Sequence, residues 1–377
     1  MKKAVLIPDS FKGTLSSEQI CGIISRKIEE HFPGCEVVSI PVADGGEGSV
    51  DCFLTALGGE KIKEIVKNPY FEDMEAFYGL IDHGETAVVE MASCAGLPLV
   101  EDRKNPKLTT TYGVGQLILA AAKKGVKKIV TGLGGSSTND GGCGAAAAVG
   151  VRFFNKAGEE FVPTGGTLIE IDRIDVSGVA SEVKNTEIVT MCDIDNPMYG
   201  ETGAAYIFGP QKGADPDMVK ELDAGLVHLS EVIQRDLGKD YSLVPGAGAA
   251  GAMGAGMLAF FGSTLQMGIE TVLDTVKFDS IISDADMVFT GEGKMDTQSL
   301  RGKVVIGVAK RAKEQSVPVT VIAGGAEPDI EAAYEMGVSS VFTINRLPQD
   351  FSVSRHNSAE NLELTVDNIL RLMKSVR

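Results

Sequence analysis

The sequence predicts an α/β protein in which a doubly wound parallel-sheet domain is split across both termini and a second, mixed α/β domain is inserted. Three observations predict this arrangement. About the first 60 residues alternate short apolar runs with helical patterns, about the last 90 repeat that alternation, and the middle differs. Alternating β and α patterns indicate parallel strands joined by helical crossovers. The 377 residues also exceed the roughly 250–300 residues that one core usually supports.

The N-terminal pattern begins with an apolar run at 4–7, which predicts a strand. Ser16 and Ser17 are followed by Glu18 and Gln19, a combination typical of a helix N-terminus, and isoleucines then recur at helical spacing. A second strand is predicted over 37–42. The helix after it ends at Gly58 and completes a βαβα unit.

The C-terminal pattern is similar. Continuous apolar runs are typical of parallel strands that are buried on both faces. Such runs predict strands over 287–290, 319–323 and 341–344, with helices at about 303–314, 328–336 and 359–375.

The middle of the chain predicts antiparallel strands over 64–91, with turns at Asn68-Pro69 and His83-Gly84. A helix–strand pair at 113–132, a hairpin near 151–162 and a long helix at 216–237 follow. We therefore expect residues 1–66 and 284–377 to form the doubly wound domain and 67–283 to form the inserted domain.

The composition excludes several classes of protein. The net charge of −17 argues against nucleic acid or an anionic membrane as partner, because both attract basic surfaces. No apolar stretch approaches the ~20 residues of a membrane span, and no signal peptide is evident. The six cysteines lack CxxC spacing and the four histidines are scattered, so structural zinc and disulfides are not expected. We expect a cytoplasmic protein, whose oligomeric state the sequence leaves open.

Three polar segments directly follow predicted strands, at 8–13, 43–48 and 291–296. Ligands of open parallel sheets bind beyond the carboxyl ends of the strands. The segments supply carboxylates for a metal, lysines for phosphate and glycines that expose backbone N–H groups. Each could alternatively be an ordinary turn between strand and helix.

A fourth segment, residues 132–142 (the Gly/Ser loop), reads GLGGSSTNDGG and precedes an Ala-rich helix at 143–149. Small polar residues at a helix N-terminus present N–H groups and hydroxyls to anions, and the helix dipole favours negative charge there. This pattern predicts a phosphate site. The alternative is a packing loop with a polar N-cap.

Known nucleotide motifs are missing or poorly placed. Neither Gly293-Lys294 nor Gly302-Lys303 continues as a Walker A loop, and the protein-kinase signatures are absent. Residues 246–251 read GAGAAG and match G-x-G-x-x-G, with Glu270 beyond. The three residues before them, 243–245, do not predict the strand that a dinucleotide-binding fold requires.

Two further stretches contain charged residues near predicted turns. Residues 191–197 follow a predicted strand at 187–190 and place Asp193 and Asp195 at its end; the alternative is a solvated turn before Pro197. Residues 209–214 form a predicted turn that contains Lys212, which could equally be a surface lysine.

Taken together, these segments resemble the glycerate kinase family, which includes bacterial enzymes that form 2-phosphoglycerate. The resemblance spans nearly the whole chain and rests on PDSFKG (8–13), ADGGEG (43–48), TYGVGQLI (111–118), GLGGSSTNDGG (132–142), CDIDNP (192–197), FGPQKGA (208–214), GAGAAG (246–251) and TGEGKMDTQSLRGK (290–303). Ser49, Ser137 and Ser299 depart slightly from the family pattern. The resemblance implies ATP as donor, D-glycerate as substrate, Mg²⁺ as cofactor and a cleft between two domains.

Chemistry suggests roles for individual residues. Phosphoryl transfer requires positioning and charge neutralisation, and Mg²⁺ prefers carboxylates and phosphate oxygens. The candidate metal ligands are Asp44 and Asp296, with Glu47 in reserve. The candidate catalytic residues are Lys12 and Lys294, which would stabilise transferring charge, and Asp193 as base. The candidate substrate-binding residues are Asp9, Ser10, Arg301 and Lys212, the last two for the glycerate carboxylate. The candidate nucleotide-binding residues are Gly134, Gly135, Ser136, Ser137, Thr138, Asn139, Gly291 and Gly293.

Three alternatives remain open from the sequence. A sugar or mevalonate-type kinase would share the Gly/Ser loop before a helix, although its other motifs are not found. An NAD(P)-binding dehydrogenase would use residues 246–251. A non-catalytic binding protein would not need so many carboxylates.

Overall fold

The computed structural model describes residues 1–42, 45–347 and 349–376, with the backbone but not the side chain of Arg301. Its strands are β1 (Lys3–Leu6), β2 (Glu36–Ser39), β3 (Glu60–Lys67), β4 (Asp73–Ile81), β5 (Thr86–Glu90), β6 (Lys128–Gly132), β7 (Arg152–Phe154), β8 (Glu160–Phe161), β9 (Arg173–Asp175), β10 (Glu187–Met191), β11 (Thr264–Gln266), β12 (Met287–Met295), β13 (Val319–Ala326) and β14 (Val338–Thr343).

Helices lie between many of these strands, whereas β3–β5 and β7–β9 follow one another without an α-helix. The helices are α1 (Ser17–His31), α2 (Ser49–Leu57), α3 (Ala92–Ala95), α4 (Tyr112–Lys123), α5 (Cys143–Ala148), α6 (Ser181–Lys184), α7 (Ala204–Phe208), α8 (Pro216–Leu237), α9 (Ala249–Phe261), α10 (Gly268–Thr275), α11 (Phe278–Ile282), α12 (Val304–Glu314), α13 (Ala332–Glu335), α14 (Phe351–Ser354) and α15 (Ser358–Ser375). Within the described ranges, no helix has the length and apolar character that a transmembrane span needs.

The chain divides into two compact units. Unit one comprises Met1–Ala43, Thr55–Leu57 and Ile269–Arg377, and unit two comprises Asp44–Leu54 and Gly58–Gly268. The predicted boundaries at 66 and 284 stay predictions. Strand β3, which ends at Lys67, pairs with β4 inside unit two.

Unit one is built on a parallel sheet with the order β14-β13-β12-β1-β2. Helix α1 begins as predicted, because Ser16 and Gln19 form a capping box in which each side chain accepts a backbone N–H of the other. Its buried face carries Ile20, Ile24 and Ile28, which belong to the same apolar cluster as residues of α15. The predicted doubly wound pattern is confirmed here.

Strand β12 is longer than the sequence predicts. Its pairing with β13 continues through Lys294 and Met295, so most of the predicted polar loop at 291–296 lies within the strand. Glycine makes this possible, because a Cβ on Gly291 would lie 2.0 Å from the Ile322 carbonyl oxygen. The prediction that the strand ends at 290 is therefore wrong. Strand β2 is shorter than predicted, because it ends at Ser39 rather than at residue 42.

Unit two is built on a mixed sheet with the order β11-β10-β6-β5-β4-β3. Its strands β5, β6, β10 and β11 are parallel, whereas β3–β4 and β4–β5 are antiparallel. The predicted antiparallel region at 64–91, the hairpin of β7 and β8 and the long helix α8 are confirmed. The parallel strands of this sheet end at the Gly/Ser loop and at Met191, so the carboxyl edge brings several predicted segments together.

Candidate active site

Two predicted segments of unit one come together where the chain leaves the carboxyl end of β1 and runs beside the second half of β12. The Asp9 backbone N–H donates to the Gly291 carbonyl oxygen at 2.8 Å, and the Asp9 carboxylate accepts from the Ser10 N–H at 2.6 Å. Gly293 lies beside Lys12, since a Cβ on that glycine would be 3.3 Å from the Lys12 backbone nitrogen. Five predicted site residues therefore share one sheet edge.

Glu292 is a functional candidate at this edge that the sequence reasoning missed. Only 8% of the residue is exposed, and its Oε1 has no hydrogen-bond partner among the described residues. Burial raises the pKa of Glu292 to about 7; the charges of Asp9 and Asp296 add to the rise, while a hydrogen bond with Ser299 and the charge of Lys303 oppose it. An acidic residue between two glycines, directly after an apolar strand, was the signal available in the sequence.

The raised pKa of Glu292 predicts a pH-dependent stability difference between the wild type and Glu292→Gln. The carboxyl ionises near 4.5 when unfolded but near 7 when folded, so its contribution to stability is greatest below the unfolded pKa. That contribution is lost as the pH rises through the folded pKa. We therefore expect the melting temperature of Glu292→Gln to rise relative to wild type between about pH 4.5 and 7, then to level off.

The matched control is Glu331→Gln, which alters an exposed carboxylate in the same unit. Thermal melts of the three proteins across the pH range measure the difference directly. A constant offset between Glu292→Gln and wild type would contradict the prediction.

Other predicted residues of unit one have partners of their own. The Lys294 Nζ donates to Glu327 Oε1 at 2.5 Å, in a solvent-exposed ion pair just beyond the end of β13. The Asp296 carboxylate accepts from the N–H groups of Gln298 and Ser299, at 2.8 and 3.3 Å, and so caps a short 3₁₀ turn. Substrate binding by Arg301 stays a prediction, because the Arg301 side chain lies outside the described part of the structure.

The predicted metal ligands are only partly described. Asp44 lies outside the described residues, and Glu47 is an exposed residue of unit two. Among residues 1–42, 45–347 and 349–376, no three His, Cys, Asp or Glu side chains are grouped closely enough to hold a metal ion by themselves. Metal ligation by Asp44, Asp296 and Glu47 stays a prediction.

In unit two, the Gly/Ser loop packs directly against the segment that follows β2. The Gly134 N–H donates to the Gly45 carbonyl oxygen at 3.0 Å. A Cβ on Gly134 would lie 2.6 Å from the Gly46 Cα, so this contact requires glycine. Buried Glu90, at the end of β5, accepts from the Val50 N–H at 3.0 Å and thereby anchors the first turn of α2. Two of the four polar segments predicted to form the site are thus neighbours.

The polar side chains of the Gly/Ser loop point inward rather than toward solvent. Ser136, Ser137, Thr138 and Asn139 are at most 8% exposed. The backbone N–H and the hydroxyl of Ser137 both donate to the Ala95 carbonyl oxygen at 2.9 Å. Gly135 is exposed and has a φ of +74°. Nucleotide binding by these residues stays a prediction. The geometry favours the exposed backbone at Gly135 over the hydroxyls, because the Gly134 N–H already donates to the Gly45 carbonyl oxygen.

Asp140 anchors the end of the Gly/Ser loop and was also missed by the sequence reasoning. Its carboxylate accepts from the backbone N–H and hydroxyl of Thr111, at 2.8 and 2.9 Å, and from the N–H groups of Gly142 and Gly144, at 3.1 and 3.2 Å. Complete burial raises the pKa of Asp140, although these hydrogen bonds oppose the rise. The N-cap residue of α5 is Gly142, which has no side chain to cap the helix, so Asp140 ties the loop to the helix from two residues before the N-cap.

The GAGAAG segment at 246–251 packs against the Gly/Ser loop. Ala250, Gly251 and Ala252, here called the left-handed turn, have φ values of +55°, +68° and +65°. A Cβ on Gly251 would lie 2.1 Å from the Thr138 carbonyl oxygen, and the Gly141 N–H donates to the Gly251 carbonyl oxygen at 3.0 Å. Residues 243–248, all described, contain no strand, so the segment lacks the context of a dinucleotide-binding fingerprint.

Asp193 is exposed to solvent, whereas Lys212 is buried. Asp193 is exposed beyond β10, and its Oδ1 accepts from the N–H of Gly268, the first residue of α10, at 2.7 Å. Lys212 is only 1% exposed, which excludes the alternative of a surface lysine. The role of Asp193 as base and the role of Lys212 in substrate binding both stay predictions.

Comparisons with known proteins agree with this architecture. The glycerate kinase family model matches residues 4–374. The chain is 44% identical over 373 residues to a glycerate kinase of Bacillus cereus, covering 99% of this chain and 98% of that one. It is 43% identical over 343 residues to the glycerate 2-kinase of Escherichia coli, covering 91% and 90%. A crystal structure from Salmonella typhimurium LT2, provisionally assigned as glycerate kinase 2, matches with a TM-score of 0.87 and 38% identity, covering 99% and 98%.

These similarities define an α/β enzyme of the phosphotransferase class. The chain belongs to the glycerate kinase family. The resemblance derived from the eight sequence segments is thereby confirmed, as are the predicted α/β fold class and the prediction of an enzyme that is a kinase of glycerate.

Proposed function

We propose that the protein transfers the γ-phosphoryl group of ATP to D-glycerate and forms 2-phosphoglycerate and ADP, with Mg²⁺ as cofactor. The observation that carries this proposal is the match of the glycerate kinase family model to residues 4–374. The choice of the 2-position is supported by the 43% identity to the Escherichia coli relative, which is named glycerate 2-kinase.

The residues of unit one would handle charge at the carboxyl edge of the sheet. Lys12 would stabilise negative charge on the transferring group, because a fixed cation costs no reorganisation during the reaction. Asp9 and Ser10 would contact the acceptor. Glu292 lies among carboxylates and has an unpartnered oxygen in the described structure, so it would hold a proton or face a cation rather than remain an isolated buried charge.

Mg²⁺ fits the donor chemistry of this edge. Mg²⁺ is usually held by one or two carboxylates together with phosphate oxygens and water, so a complete protein cage is not required. Asp296 is the predicted ligand that lies in unit one, and Glu292 is a second carboxylate within its electrostatic influence. When bound, Mg²⁺ neutralises charge on the phosphate oxygens.

In unit two, the exposed backbone at Gly135 would receive ATP phosphates, with Gly134 placing it against the segment at Gly45. Asp193 would accept the proton of the glycerate hydroxyl. A small molecule, glycerate, is the proposed partner. We also propose a reducing, cytoplasmic compartment, supported by six free cysteines, and the discontinuous domain division at 66 and 284 with a cleft between the domains.

The test is steady-state ADP release by the full-length protein with D-glycerate, ATP and MgCl₂. Coupling to enolase distinguishes the products, because enolase accepts 2-phosphoglycerate and not 3-phosphoglycerate. We expect glycerate-dependent turnover that EDTA abolishes and added Mg²⁺ restores. Equal turnover with sugars or mevalonate in an acceptor screen would favour another small-molecule kinase, and no glycerate-dependent ADP release would overturn the proposal.

A further inference from the structure

Lys212 lies buried against the inner side of the Gly/Ser loop. Its Nζ donates to the Ser136 hydroxyl oxygen at 2.9 Å and to the Thr138 carbonyl oxygen at 2.6 Å. These two acceptors are separated by a single residue. The side chain, which comes from the turn after α7, therefore connects two points of a loop that lies more than 70 residues earlier in the chain.

This buried lysine is costly to the fold. No carboxylate among the described residues forms an ion pair with it, and removing an ammonium group from water is unfavourable unless the charge is compensated. Burial lowers the pKa of Lys212 to about 7, against the opposing influence of Asp140. The neutral amine still has two N–H groups, so both hydrogen bonds can form in either protonation state. A cost of this kind is typical of residues with a functional task.

The rest of the loop explains why a support is needed at this point. Ser137 is held on one side by the Ala95 carbonyl oxygen, and Asp140 is held by Thr111 and the start of α5. Between them, the hydroxyl of Thr138 and both amide atoms of Asn139 have no hydrogen-bond partner among the described residues. Lys212 supplies the hydrogen bonds to the Ser136 side chain and the Thr138 carbonyl.

We propose that Lys212 is a positioning residue: it fixes residues 136–138 of the Gly/Ser loop so that the loop can bind the ATP phosphates. Lys212 does not bind the glycerate carboxylate. This inference rests on the proposed function. The exposed residue of the loop, Gly135, immediately precedes the portion that Lys212 holds. A cation under a loop also adds positive potential to that part of the surface.

The test compares wild type with Lys212→Met, which keeps a long unbranched side chain and removes the N–H donors. We expect kcat/KM for ATP to fall about 10²-fold, the effect of a small misplacement in a positioned site. The KM for glycerate should stay within about threefold at saturating ATP, since the proposal gives Lys212 no contact with glycerate. Lys220→Met, which alters an exposed lysine of α8, is the matched control and should behave like wild type.

The kinetic pattern separates the possible roles of Lys212. A rise in the KM for glycerate with normal ATP parameters would overturn the inference and restore the substrate-binding role predicted from the sequence. Kinetics within about threefold of wild type for both substrates would also overturn it, because Lys212 would then be a structural residue only.

A second measurement tests the inference even if Lys212→Met does not fold or the protein does not phosphorylate glycerate. ATP affinity is measured by calorimetry for wild type, Lys212→Met and Ser136→Ala; the last variant removes one acceptor of Lys212 and leaves the lysine in place. We expect Ser136→Ala to raise the Kd for ATP by about 2- to 12-fold, the equivalent of one hydrogen bond.

An unchanged Kd in Ser136→Ala would overturn the inference even if Lys212→Met does not fold. If the wild type binds ATP but does not phosphorylate glycerate, the proposed function fails and the ATP affinities alone decide the role of Lys212. If the wild type binds no ATP, both proposals are overturned.

Discussion

Replacing Asp193 with Asn is expected to lower kcat about 10²- to 10⁴-fold, the usual contribution of a general base, with little change in the KM for ATP. The structure makes this substitution informative. Asp193 accepts the N–H of Gly268 at the start of α10, and an Asn side chain accepts such a hydrogen bond about as well as Asp. Asp193→Asn therefore removes the charge and keeps the contact with the helix.

Asp193→Ala removes both the charge and the contact. We expect it to lower the free energy of unfolding by about 1 kcal/mol, as the loss of a helix cap does, and to lower kcat as much as Asn does. Asp217→Asn, an exposed aspartate of α8, serves as control. Activity of Asp193→Asn within about threefold of wild type, on the rate scale just given, together with an unstable Asp193→Ala, would leave Asp193 with a structural role only.

Adding a methyl group at Gly251 is expected to destabilise unit two strongly. The new Cβ would lie 2.1 Å from the Thr138 carbonyl oxygen and 2.5 Å from the Asn139 Cα, at a φ of +68°. Overpacking and the left-handed conformation together predict that Gly251→Ala lowers the free energy of unfolding by about 2–5 kcal/mol. ATP affinity should fall as well, because the clash falls on the Gly/Ser loop.

The matched control for Gly251→Ala is the opposite change at its neighbour, Ala250→Gly. Ala250 has a φ of +55°, so glycine relieves about 1–2 kcal/mol of backbone strain and costs about 0.5–1 kcal/mol of chain entropy. The melting temperature of Ala250→Gly should equal or slightly exceed that of wild type. A clear loss of stability in Ala250→Gly would mean that the left-handed turn does not exist in solution.

Much of the fold could be predicted because its signals are local. The capping box at Ser16 and Gln19, the turn at Asn68-Pro69 and the helical spacing of the isoleucines in α1 each depend on residues that are close in the chain. The continuation of β12 could not be predicted in this way. Gly, Glu and Lys have low strand propensity, and only pairing with β13 extends the strand through Lys294.

The candidate site was predicted as a set of segments rather than as a set of contacts. The sequence placed Asp9 and Gly291 at one sheet edge, because parallel strands share their carboxyl ends. It could not reveal that Lys212 is buried, since the partners of Lys212 lie 74 and 76 residues away in the chain. The sequence also could not reveal that the Gly/Ser loop turns the side chains of Ser137 and Asn139 inward, because this burial depends on contacts with distant parts of the chain.

The position of β1 between β2 and β12 has a consequence for biosynthesis. The Thr290 hydroxyl donates to the Ile7 carbonyl oxygen from 283 residues further along the chain. At about 5–20 residues per second, the ribosome needs roughly 15–60 s to reach β12 after it has made β1. During that time β1 lacks one of its two neighbouring strands, while every strand of the second sheet is made before β12. The nascent chain therefore has an apolar strand with an unpaired edge for most of its synthesis, and this is a period in which a chaperone would protect it from aggregation.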